Sequence, residues 1–204
     1  MTAETEASGA DTARAWGQIR ELREVLEPYR DYDYAVSHGY RPFMERMAQQ
    51  ELHATNYRYA RLAARTFDPA RPTSLLYEKH GEHYELVGVM YTAPGDASLD
   101  ELDGRVPLSL AQWHLHVDLC LPPRGDRPPL SELVGPAARF GPQGSIATRE
   151  ECDRADGRFL PRLFGWMVHV YPFEETLAVI YQPPAGHRDG HADGAMLDGA
   201  HTGH

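Results

Sequence analysis

Residues 112–121 read QWHLHVDLCL, and their alternation decides the fold class. Successive side chains of a β-strand point to opposite faces. Trp113, Leu115, Val117 and Leu119 therefore take one face, and His114, His116, Asp118 and Cys120 the other. The first set is a core face. The second is four consecutive groups able to ligate a metal or move a proton, where a merely solvated face would more usually carry Lys, Thr, Glu or Arg. Residues 164–172, FGWMVHVYP, have the same grammar: Trp166, Val168 and Val170 are apolar on one side, and Met167, His169 and Tyr171 lie on the other. If both strands bury the Trp/Val/Leu side in one core, their histidine-bearing sides also coincide.

Working outward, SLLYEKHGEHYELVGVMY (residues 74–91) is a hairpin signal around Gly81, and Thr176 to Tyr181 is a further strand candidate. Thr12 to Leu26 predicts a helix from the spacing of Trp16, Ile19, Leu22 and Leu26, ended by Pro28. The longest helical pattern runs from Pro42 to Thr66, with Met44, Met47, Ala48, Leu52, Thr55, Tyr59, Leu62 and Ala63 in one stripe. That helix is expected to cover the sheet and wall the site, with Gln49, His53, Asn56 and Tyr57 as a polar edge. TREE, beginning at Thr148, predicts a short helix ending near Gly157. The expected fold class is α+β, with N-terminal helices packed on an antiparallel sheet of about five strands or a small barrel. Residues 1–11 read as a disordered lead, 12–182 as a single α+β domain, and 183–204 as a disordered tail carrying His187, His191, His201 and His204.

A net charge of −10 opposes nucleic-acid and anionic-membrane partners, whose binding draws on clustered Lys and Arg. No stretch is long and apolar enough to read as a membrane span, and MTAETEASGADTARAW lacks the basic and apolar regions of a signal peptide. The chain as written reads as cytoplasmic, with export open only if a leader has been removed. In a reducing cytoplasm Cys120 and Cys152 are expected as thiols, a bridge between them being a mark of export.

His-x-His on a strand sets two imidazoles on one side with Cα atoms about 6 to 7 Å apart, a span two ligands of one ion can bridge. With His169 added, three imidazoles converge and leave a coordination position open, as catalytic sites do. Cys120 and His53 are further candidate ligands. Tyr77, Glu78, Asp118 and Tyr171 are candidate proton donors or acceptors, Glu78 and Asp118 also being candidate carboxylate ligands. Imidazoles beside Cys120 and Met167 favour copper or zinc, and iron enters if a carboxylate joins. His80 and His83 flank the hairpin turn and read as surface residues.

H-x-H on one strand with a lone histidine on a later strand resembles the cupins, small β-barrels that hold a metal through two His, a Glu and a third His. That resemblance implies His114 and His116 as the paired ligands and His169 as the distal one. The cupin glutamate has no counterpart here, since Asp118, Cys120 and PPRGD follow H-x-H. The W-H-x-H-x-x-L-C and F-G-W-M-V-H-V-Y-P segments also resemble uncharacterised bacterial proteins.

Two functions follow from these residues. One is a small-molecule metalloenzyme, an oxidoreductase or a hydrolase. The other is capture, storage or delivery of a metal ion, with the His-rich tail as collector. Neither oligomeric state nor substrate is legible.

Overall fold

In the computed structural model the described residues are 2, 6–43, 51–133, 135–142 and 144–181. The histidine-rich tail, Met44, Met47, Ala48 and Gln49 lie outside them.

The first helix, α1 (Gly9–Leu26), starts three residues before Thr12 because a capping box stands ahead of it. The Ser8 side chain accepts from the Asp11 N–H while the Asp11 carboxylate accepts from the Ser8 N–H. Its buried stripe is Ala15, Ile19, Leu22 and Leu26, each at most 2% exposed. A fully buried Leu or Ile contributes up to about 1.5–3 kcal/mol, so this stripe anchors the helix on the sheet. Pro28 then turns the chain into a single 3-10 turn, and α2 (Tyr32–Ser37) follows, capped by Asp31.

Residues 42–66 do not form one helix. Arg41–Pro42 (β1) and Leu52–Thr55 (β2) pair antiparallel, and α3 spans only Tyr57–Ala63. The helical stripe through Leu52, Thr55 and Tyr59 is coincidental. Leu52 to Thr55 pairs with residues 74–77, and that tertiary partner overrides local propensity. Asn56 makes the break: its side-chain oxygen accepts from the Arg58 and Tyr59 N–H groups, an N-cap that starts a new helix there.

The hairpin forms as expected from β3 (Ser74–His80) and β4 (His83–Ala93), with Gly81 in the left-handed turn region. After α4 (Leu99–Arg105) come β5 (His114–Leu121), α5 (Arg149–Arg154) and β6 (Arg158–Val170). Thr148 caps α5 by accepting from the Glu151 N–H. Thr176 to Tyr181 is not a strand, because Leu177, Ile180 and Tyr181 stand at i, i+3 and i+4 and enter the main core from one turn of helix, α6 (Leu177–Ile180).

The six strands form one antiparallel sheet in the order β1-β2-β3-β4-β6-β5, curled into a half-barrel. Register defines its two sides. Ala54, Leu75, Val89 and Val170 stand in one row across β2, β3, β4 and β6, all at most 1% exposed, and with Trp113, Trp166 and Val168 they meet α1 in the main core. The neighbouring rows point the other way. One holds Thr55, Ser74, Met90 and His169, the other His53, Leu76 and Gly88. Leu76, Met90, Met167 and Tyr171 make a smaller apolar cluster on that second, concave side. The excursion between β5 and β6 has its own small core of Cys120, Cys152, Leu133 and Phe140.

Candidate functional site

The parity expected of β5 and β6 holds where it matters. Trp113, Trp166, Val168 and Val170 lie in the main core, and Met167 and Tyr171 in the concave cluster. The two strands are sheet neighbours, with His114 opposite Met167 and His116 opposite Leu163. Between those pairs β6 carries two residues more than β5, a bulge that holds Phe164 in the left-handed region at φ +63°. Two residues beyond His116, Asp118 is left-handed as well, at φ +53°. Each such non-glycine residue costs about 1–2 kcal/mol. The ladder is thus distorted on both sides of His116, whose ring lies 5.3 Å from that of His114, centroid to centroid.

His114 and His169 are buried, at 7% and 6% exposure, with ring centroids 5.2 Å apart. His53 joins them from β2, its centroid 5.5 Å from that of His169 and its Nε2 3.5 Å from the His169 Nε2. The polar edge expected of a covering helix is therefore supplied in part by a strand of the sheet itself. His53 Nδ1 lies 3.2 Å from the Glu51 carbonyl oxygen, which only accepts, so Nδ1 is the donor and Nε2 is the nitrogen that faces His169. Burial holds the His114 imidazole well below its ordinary value, at about 3, with the neighbouring His116 and His53 adding to the effect. It is neutral at neutral pH, the form that binds metals.

On the same concave side lies a buried polar pair, of which Tyr171 is a sequence candidate and Glu51 is not. Glu51, 5% exposed, accepts a hydrogen bond from the Tyr171 hydroxyl at 3.1 Å. The signal was present: Glu51 stands two residues before His53, on the same face if the segment is extended. Tyr171 is thus the one candidate proton-transfer residue found on the concave side. Tyr77 is wholly buried in the main core on the opposite face, its hydroxyl donating to the Tyr29 carbonyl at 2.6 Å. Glu78 is exposed on the hairpin, 3.4 Å from His80 Nε2. Asp118 is exposed, turned out by its left-handed backbone. Cys120 is no thiolate ligand: it is bonded to Cys152, correcting the expectation of two thiols. His80 and His83 are exposed, as expected from the turn. Asn56 is occupied as the cap of α3 and as a donor to the His38 carbonyl.

Among the described residues, no group of three or more His, Cys, Asp or Glu side chains is gathered as it stands to hold a metal ion. The four imidazoles touch in a chain, His116 to His114 to His169 to His53. No helix among the described residues is long and apolar enough to cross a membrane. Comparison of the chain with models of protein families, with curated proteins and with solved structures found no match.

Proposed function

We propose that this chain binds one transition-metal ion on the concave side of its sheet, through His114, His116 and His169 with His53 as an added ligand. The observation that carries the reading is the 3.5 Å between the Nε2 atoms of His53 and His169. That is at the long limit of hydrogen-bond distances, which for N–H donors to oxygen run about 2.7–3.2 Å. It is close to the roughly 3.3–3.4 Å edge of a tetrahedron whose nitrogens lie about 2.0–2.1 Å from zinc. Side-chain rotations are needed to bring the remaining ring nitrogens to the same point. With Cys120 withdrawn into a disulfide, the donor set is imidazole with Met90 and Met167 nearby, a set suited to zinc or copper, with iron open through Glu51.

Small-molecule chemistry is the preferred use, and it requires a fifth coordination position or the release of His53. The Tyr171–Glu51 pair offers a proton donor and acceptor on the same side of the sheet, and a mostly buried site strengthens each charge and hydrogen bond inside it. A second reading, metal storage or delivery, is favoured by His53 itself, since four imidazoles fill a tetrahedral ion's coordination and leave no open position. The disulfide favours an oxidising compartment over the cytoplasm.

Elemental analysis of protein purified without added metal tests the site. About one ion per chain is expected, lost in the His114→Ala/His169→Ala variant; less than about 0.2 per chain, unchanged in that variant, overturns it. Cobalt substitution separates the two uses. An intense tetrahedral spectrum unaltered by small anions supports storage, and a spectrum that anions shift supports an open, catalytic position.

A further inference from the structure

On the same concave side, two phenylalanines meet ring to ring. Phe164 is 49% exposed, and it occupies the left-handed bulge between the partners of His114 and His116. Its ring meets that of Phe43 edge to face, with centroids 5.2 Å apart. Phe43 continues the β1–β2 ladder: its N–H donates to the His53 carbonyl at 2.7 Å, one step beyond the Pro42–Ala54 pair. Residues directly opposite in an antiparallel pair project to the same face, so Phe43 shares the face of His53.

The contact is long in the sheet and short in space. β1 and β6 are four strand positions apart, about 19 Å in a flat sheet. The two rings nevertheless touch, so the curl brings the end of β1 within side-chain reach of β6, and the Phe pair spans the gap. The half-buried imidazoles are those of His53 and His116, and these are the ones whose strand partners are Phe43 and Leu163, the residue next to Phe164. The more exposed imidazoles of the cluster are thus the ones whose strand partners lie at the two rings.

We propose that Phe43 and Phe164 form an aromatic clasp that controls entry to the histidine cluster and limits its ligands to a metal ion and molecules small enough to pass when the rings part. The clasp stands on geometry; the metal behind it rests on the reading above. Backbone strain is consistent with this role, because residues held in sparsely populated conformations collect at ligand clamps.

Carbethoxylation of histidines by diethyl pyrocarbonate on the metal-free full chain, read peptide by peptide by mass spectrometry, tests the clasp without requiring metal. His80, exposed on the hairpin, is the internal standard. Phe164→Gly removes the ring while placing at φ +63° the residue that tolerates it best, so the fold is retained. Phe43→Ala removes the other half, and Phe164→Tyr keeps the ring. Relative to His80, His53 and His169 should react at least about tenfold faster in both truncated variants and at the parental rate in Phe164→Tyr. Unchanged relative rates in both truncated variants overturn the clasp. Zinc content measured on the same proteins judges the metal reading separately: equal loading with faster removal by a chelator in the variants supports both, and no loading in any form overturns the metal assignment while the labelling still decides the clasp.

Discussion

The Nε2 atoms of His53 and His169 lie 3.5 Å apart although β3 and β4 run between their strands. In a flat sheet, strands three positions apart are separated by about 14 Å. The contact is therefore a product of curvature as well as of sequence. It puts on one concave surface a residue from the N-terminal half of the chain and three from the C-terminal half.

If His53 is a ligand, removing it lowers zinc affinity far more than removing an exposed histidine does. His53→Ala is expected to weaken zinc binding by about 100-fold, and His80→Ala to leave it unchanged. Competition against a chromophoric chelator measures both. Equal affinities for His53→Ala and the parent chain would assign the 3.5 Å contact to a hydrogen-bonded pair outside the coordination sphere.

The pH dependence of the metal-free protein should carry the mark of His114. Its folded value, about 3, lies below the unfolded value of 6.5. Between the two the unfolded chain holds a proton that the native protein refuses, so stability falls as pH drops through that window and is unaffected by this group above it. One such group contributes a slope of at most about 1.4 kcal/mol per pH unit. Urea unfolding at a series of pH values should show a shallower decline for His114→Phe than for the parent. Equal slopes would mean that the buried ring takes up its proton in the native state.

The concave face was legible because alternation in QWHLHVDLCL and FGWMVHVYP is a local property, and a shared core forces the remaining faces together. His53 was legible as a histidine but not as a strand residue. Leu52, Thr55 and Tyr59 imitate a helical stripe, and only pairing with residues 74–77 reveals β2. Parity also fails silently at a left-handed residue. Asp118 takes that conformation, and beyond it Cys120 turns into the small satellite core, where it meets Cys152. No spacing rule announces the bulge at Phe164, since its cause is the mismatch of two strands rather than anything in either one.

Gly88 offers a test of how tightly the face is packed. In the cross-sheet row it follows His53 and Leu76. A Cβ there would lie 2.9 Å from the Val170 carbonyl oxygen, 3.0 Å from Tyr171 Cδ1 and 3.3 Å from Leu76 Cδ1. The carbonyl belongs to the residue after His169 and cannot yield without disturbing β6. Gly88→Ala is expected to cost about 1–3 kcal/mol by overpacking and to weaken metal binding as His169 shifts. Chemical denaturation and the same chelator competition measure the two effects, and loss of neither would mean that the strand adjusts freely.

The disulfide separates what stabilises the protein from what serves its site. Cys120 and Cys152 are fully buried, 32 residues apart in sequence, and they close the excursion between β5 and β6 into a loop. Gly157 completes the arrangement, because a Cβ there would fall on the Cys120 sulfur and only 2.8 Å from that of Cys152. Loop-closure entropy assigns a crosslink of this span about 3–4 kcal/mol, and a satellite core of two cysteines, Leu133 and Phe140 has little else to offset its loss. Cys120→Ser/Cys152→Ser should therefore unfold at lower denaturant by roughly that free energy. Its metal content should nevertheless equal that of the parent, since sulfur bonded to sulfur is not available as a thiolate. If the double variant is about as stable as the parent but loses its metal, the roles are reversed: the cysteines serve as ligands in the reduced protein, and the four-imidazole site is the wrong description.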